Sequence, residues 1–113
     1  MIKPELLDVI ELLVELPNTD VRPGELGTIV EVYGDRENPQ AGPHAYEVEF
    51  ANSQGETVAM KALTPDQFVV VWKNETRFWV PISDRLAAMI ESLPKNRQEE
   101  VLTFARSLYQ LPA

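Results

Sequence analysis

The chain contains no cysteine, which excludes disulfides, thiolate metal sites, iron–sulfur clusters and cysteine nucleophiles. Its single histidine, His44, leaves no material for a multi-histidine metal site or proton relay within one chain. No apolar run approaches the roughly 20 residues needed to cross a bilayer. The opening residues lack the charged-then-apolar layout of an export signal, so a cytoplasmic protein without membrane contact is expected. No Walker-type loop, HExxH or GxSxG motif is present, and the sequence implies no cofactor and no metal. Basic residues are scarce: 10 against 18 acids, for a net charge of −8. Phosphate binding at that balance needs a local basic stripe, which makes nucleic acid an unfavoured partner.

What is present suffices for a folded domain. Leu, Ile, Val and Phe supply 33 of the 113 residues, well above the fraction typical of disorder. A chain of this length buries about two-thirds of its unfolded surface. The charge divides unevenly. Residues 1–82 hold 14 acids and 6 bases, whereas residues 83–113 hold 4 of each. The hydrophobic period also changes near Pro81, from two to about 3.6. These shifts mark a β module over 1–72, a linker or extra hairpin over 73–82, and a helical appendage over 83–113.

In the first module, Gly27-Thr-Ile-Val-Glu-Val-Tyr33 and Ala45-Tyr-Glu-Val-Glu-Phe50 read as strands. The second alternates cleanly: Tyr46, Val48 and Phe50 on one face, Glu47 and Glu49 on the other. Such alternation belongs to an antiparallel sheet with one face in water. Asn52-Ser-Gln-Gly55 is a turn signal before a strand over Thr57–Leu63. Thr64-Pro-Asp-Gln67 reads as a single helical turn, capped by Thr64 with Pro65 at its first position. Phe68-Val-Val-Val-Trp72 is a short β-branched strand, and Arg36–His44 is a loop. The opening segment is ambiguous, since Leu6, Leu7, Ile10, Leu13 and Val14 fit a helical stripe while Val9 to Leu13 serve equally as a strand. Gly24 and Gly27 meet the need of a tight turn entering a strand, for positive φ or close backbone approach.

These strands with one tight helical turn before the last describe a small SH3-like antiparallel barrel. Leu6-Leu-Asp-Val9, Leu16-Pro17, Arg22-Pro-Gly-Glu-Leu-Gly-Thr-Ile-Val-Glu-Val32, Tyr46-Glu-Val-Glu-Phe50 and Asp66-Gln67 resemble a small uncharacterised bacterial family. Its members share the pattern L-L-D-V, L-P, G-x-x-G-T-V-V-E-V, Y-E-V-E-F and D-Q. The resemblance covers about residues 5–71 and implies an SH3-like barrel, with Val9–Leu13 as a first strand. It supplies no catalytic residues. The Gly24-x-x-Gly27 core also resembles, more weakly, the KOW-type turn of ribosomal and transcription factors.

Beyond Pro81, Ser83 is a candidate N-cap with Asp84 in the first turn. Leu86, Met89, Ile90 and Leu93 form one face of a helix that Pro94 ends. Asn96 and Glu99 stand at capping-box spacing for a second helix carrying Val101, Leu102, Phe104, Ala105, Leu108, Tyr109 and Leu111. A helical hairpin with so wide an apolar stripe must pack on the sheet, on a second copy, or on another protein. Ile82-Ser-Asp-Arg-Leu86, Ile90-Glu-Ser-Leu-Pro94 and Gln98-Glu-Glu-Val-Leu-Thr-Phe104 resemble the helical segment of small bacterial antitoxin-type proteins. That resemblance implies that Phe104, Leu108, Tyr109 and Leu111 face a partner.

The expected function is therefore a non-catalytic, acidic protein-interaction module. Trp72, Trp79, Phe104, Leu108, Tyr109 and Leu111 are its candidate contacts, and a basic toxin-like protein or a second copy is its candidate partner. Exposed Glu47 and Glu49 serve solubility, because exposed carboxylates make poor general acids at neutral pH. The alternatives are a KOW-like nucleic-acid or ribosome-associated module, using Lys61, Lys73, Arg77, Trp72 and Trp79 on one face, and an accessory subunit of an enzyme complex.

Overall fold

A computed structural model describes residues 2–111. Six antiparallel strands come first: β1 (Val9–Leu12), β2 (Leu26–Gly34), β3 (Pro43–Ala51), β4 (Thr57–Leu63), β5 (Phe68–Lys73) and β6 (Phe78–Trp79). Two helices follow, α1 (Ile82–Ser92) and α2 (Lys95–Leu108). The protein is mainly β with a helical appendage. The sheet runs β4-β3-β2-β1-β5-β6 and is open: its two edges do not pair, so the expected barrel is not closed by backbone hydrogen bonds. It nevertheless coils. β3 and β5 lie three strand spacings apart, about 14 Å in a flat sheet, yet the rings of Tyr46 and Phe68 meet edge-to-face at 5.6 Å. Inside the coil sit Ile10, Leu12, Ile29, Tyr46, Val48, Phe50, Leu63 and Phe68.

Local sequence explains most of this path. The opening segment is a strand, because β1 is buried on alternate residues and pairs with both β2 and β5. Val30 and Val32 break strict alternation in β2, and the structure resolves this with a bulge between Ile29 and Glu31. The two glycines act for separate reasons. Gly24 turns with φ +95°, whereas a Cβ on Gly27 would lie 2.6 Å from Val48 and 2.9 Å from the Phe50 ring. Gly27 is thus the point where β2 passes closest over the core. Thr64–Gln67 makes the capped 3₁₀ turn, the Gln67 side chain accepting from Thr64 N–H at 2.9 Å. The loop between β2 and β3 spans only 35–42 and holds a second 3₁₀ turn, Pro39–Ala41, so Pro43 and His44 belong to β3.

Residues 73–80 continue the sheet. Trp72 pairs with Trp79 and Lys73 with Phe78, and Val80 joins the core. β5 reads as an unbroken apolar run because it is buried on both faces: Phe68 and Val70 face the coil, while Val69 lies under α1. The capping expectations fail at both helices. Pro81 and Pro94 occupy the N-cap positions with extended ψ of 149° and 159°, each helix starts one residue later, and neither Ser83 nor Asn96 caps. A proline with fixed φ and extended ψ delivers the chain into the first turn without a side-chain acceptor.

α1 rests on β5 and the 3₁₀ turn, whereas α2 packs on no element to a comparable extent. Neither helix has a buried residue. The radius of gyration is 15.8 Å, against about 13 Å for a compact chain of this length.

Candidate functional site

The two helices and the residues that follow α2 carry seven of the fifteen large apolar side chains that stand exposed among the described residues. Ile82, Leu86, Leu102, Phe104, Leu108, Tyr109 and Leu111 are all at least half exposed, with Tyr109 at 92%. On α2 the half-buried positions are Gln98, Val101 and Ala105, and Gln98 donates from its amide to the Ile90 carbonyl at 2.7 Å. This contact fixes where α2 leaves α1 and leaves two flanks open. Phe104 and Leu108 share one flank, Leu102 and the C-cap Tyr109 the other, and Leu111 follows beyond the helix end. Scattered surface leucines need no explanation, but such a cluster on an uncovered helix does. An apolar groove of about 310 Å³ runs between α1 and the sheet, walled by Pro65, Phe68, Val70 and Ala88. α1 is therefore only partly seated.

Trp72 and Trp79 come together as a cross-strand pair on the β5–β6 hairpin. Arg77, at the end of the hairpin loop with φ +63°, lays its guanidinium 5.2 Å from the Trp72 ring centre and donates to the Asn74 side chain at 2.9 Å. Trp79 and Phe78 stay 64% and 73% exposed. Of the cations considered for this face, Arg77 is present and Lys73 is committed elsewhere. Lys61 stands on β4, at the opposite end of the strand order.

Lys73 points to a feature that sequence inspection missed. Asp8 is fully buried, and its carboxylate accepts from Lys73 Nζ, from Asn74 N–H at 2.9 Å and from Glu5 N–H at 2.9 Å. The Lys73 ammonium also bonds Glu5 at 2.9 Å and the Lys3 carbonyl at 2.8 Å. Burial works against the ammonium, but its bonds to Asp8 and Glu5 outweigh that and raise its pKa. The same bond to Lys73, with the attraction of its charge, holds the Glu5 carboxyl below its usual value. This network ties the segment before β1 to the β5–β6 turn. The readable signal was an acid lodged inside Leu6-Leu-Asp-Val9.

His44 is exposed at the start of β3. Glu47 and Glu49 lie on the outer sheet face, where Glu47 accepts from Tyr33 Oη at 3.0 Å and Glu49 from Thr57 Oγ1 at 2.8 Å. Bonding to Glu47 raises the Tyr33 pKa. Among the described residues no group of three His, Asp or Glu side chains is placed to hold a metal ion. No helix there is long and apolar enough to cross a membrane.

A family model described as Domain of unknown function (DUF4926) matches residues 6–70, more than half of the chain, and the chain belongs to that family. The match takes in β1 to β4 and the start of β5, leaving Lys73, the β5–β6 turn and both helices outside it. Neither a curated protein nor a solved structure matches the chain.

Proposed function

We propose that this member of the DUF4926 family is a non-catalytic protein-interaction module that holds its partner through the C-terminal helices. The observation that carries the reading is the uncovered apolar flank of α2: Phe104 and Leu108 at 66% and 51% exposure on a helix with no buried residue, followed past the helix end by Leu111 at 62%. A helix of this length is marginal alone in water and draws its stability from packing an apolar face. Trp79 and Phe78 on the hairpin are a further exposed apolar pair. The net charge of −8, all of it within residues 1–82, favours encounter with a partner of basic surface. An antitoxin-like role, neutralising a basic protein, is the specific form of this reading, and an SH3-like ancestry for the coiled sheet is compatible with it.

Affinity purification from the native host with the full chain and with a chain ending at Leu93 tests the proposal. Proteins retained by the first and lost by the second support it, whereas identical retained sets overturn it. The cut belongs after Leu93 because a chain ending at Pro81 also strips α1 from Val69. A second reading, single-stranded nucleic acid stacking beside Arg77 on Trp72 and Trp79, has the cation–aromatic contact in its favour. A salt-sensitive gel shift at low ionic strength supports it, and no shift retires it.

A further inference from the structure

Strand β4 is one edge of the sheet, and its protection is slight: a single lysine, and one irregularity near its start, where Ala59 pairs with Phe50 and Thr57 with Ala51 so that Val58 is left over. It pairs only with β3 and is seven residues long. Its sequence, Thr57-Val-Ala-Met-Lys-Ala-Leu63, holds one charge and no proline. Beyond that irregularity its outer face is apolar and open: Met60 is 49% exposed, and Ala62 is exposed. Natural edges are blunted by charge, proline, bulges or cover, because their free N–H and C=O groups template another strand. Next to this edge the outer face turns acidic. Glu31 stands directly opposite Glu47, and Glu47 opposite Ala62. Like charges paired across strands destabilise a sheet unless a cation joins them. No ion pair is formed by either Glu31 or Glu47 among the described residues.

We infer that β4 accepts an extended, basic segment of a partner protein as an added strand. The residue of that segment opposite Met60 is apolar, and the one opposite Ala62 is a lysine or arginine. That position lies two strand spacings from Glu47, about 10 Å. A long basic side chain and a glutamate close such a gap between them, and Ala62 is too short to stand in the way. Main-chain hydrogen bonds supply the affinity of such an addition, and the alternate side chains its selectivity. This surface is separate from the helical face and stands whether or not the helices bind a protein.

The test uses the full chain with synthetic seven-residue peptides: one of threonines with a valine and a lysine two residues apart, so that both fall on one face, its counterpart with glutamate for the lysine, and the basic peptide carrying a central proline. Binding is followed by titration calorimetry, and hydrogen exchange locates it. The basic peptide is expected to bind and to slow exchange at β4 amides, while the other two do not. The double variant Glu31→Lys, Glu47→Lys is expected to weaken it about tenfold, or ~1.4 kcal/mol, and Met60→Lys to weaken it without unfolding the sheet. Equal binding of the glutamate or proline peptide overturns the inference, as does protection away from β4. Protection of β4 in the chain alone, rising with concentration, overturns it too, because a second copy is then the occupant.

Discussion

Asp8 shows what one residue decides. A carboxylate with no solvent access survives only because Lys73, Asn74 N–H and Glu5 N–H satisfy it. Removing one partner of such a pair leaves an uncompensated charge. Lys73→Met is expected to lower unfolding free energy by about 3 kcal/mol in urea titration. Adding Asp8→Asn to it recovers part of the loss, because two neutral groups are cheaper to bury than one charge. The network also sets two pH edges. Glu5 has its folded pKa lowered from 4.5, so its contribution is complete above 4.5 and fades as pH falls through the folded value. Lys73 has its pKa raised from 10.5, so its contribution is complete below 10.5 and is lost as pH rises through the folded value. Stability measured against pH is expected to fall at both ends, and Lys73→Met to flatten the alkaline fall. Gly27 offers a second test. Gly27→Ala drives a methyl into Val48 and Phe50 and is expected to cost about 1–3 kcal/mol, read as a lower thermal midpoint.

Among elements, α2 is the outlier. The sheet strands hold every buried apolar residue except Val21 and Val80, and the helices hold none. Leu108→Glu or Phe104→Ser removes nothing from the core. Either is expected to shift stability by no more than about 0.5 kcal/mol, while the full chain loses its partner in the purification assay. A loss of both together would mean that α2 supports the fold, and the helical face would need another explanation. Native-state hydrogen exchange separates the elements independently. Amides of α2 are expected to exchange orders of magnitude faster than those of β1, β2 and β3, since an element without buried contacts opens at little cost.

As a whole, the molecule joins a charged body to a near-neutral arm: all the net charge lies in residues 1–82, and 83–113 carry none. Charge of this kind acts on encounter more than on residence. Partner association is therefore expected to slow as ionic strength rises from 50 to 500 mM (roughly one Debye length falling from ~14 to ~4 Å) with dissociation nearly unchanged, measurable by surface plasmon resonance. The opposite pattern would assign the acidic module a part in the bound interface.

Alternation and turn chemistry made β3, β4 and the Thr64–Gln67 turn legible in the chain, since period, cap and proline are local properties. The division into an acidic β body and a helical arm was legible for the same reason. Tertiary structure alone decided the rest. Whether Val9–Leu12 is strand or helix depends on β2 and β5 lying on either side of it, a long-range fact with no local trace. The coil that brings Tyr46 to Phe68, the union of Asp8 with Lys73, and the choice of β4 as the open edge all arise from how strands order themselves. No window of sequence contains that order, because it is fixed by which apolar faces can be buried together.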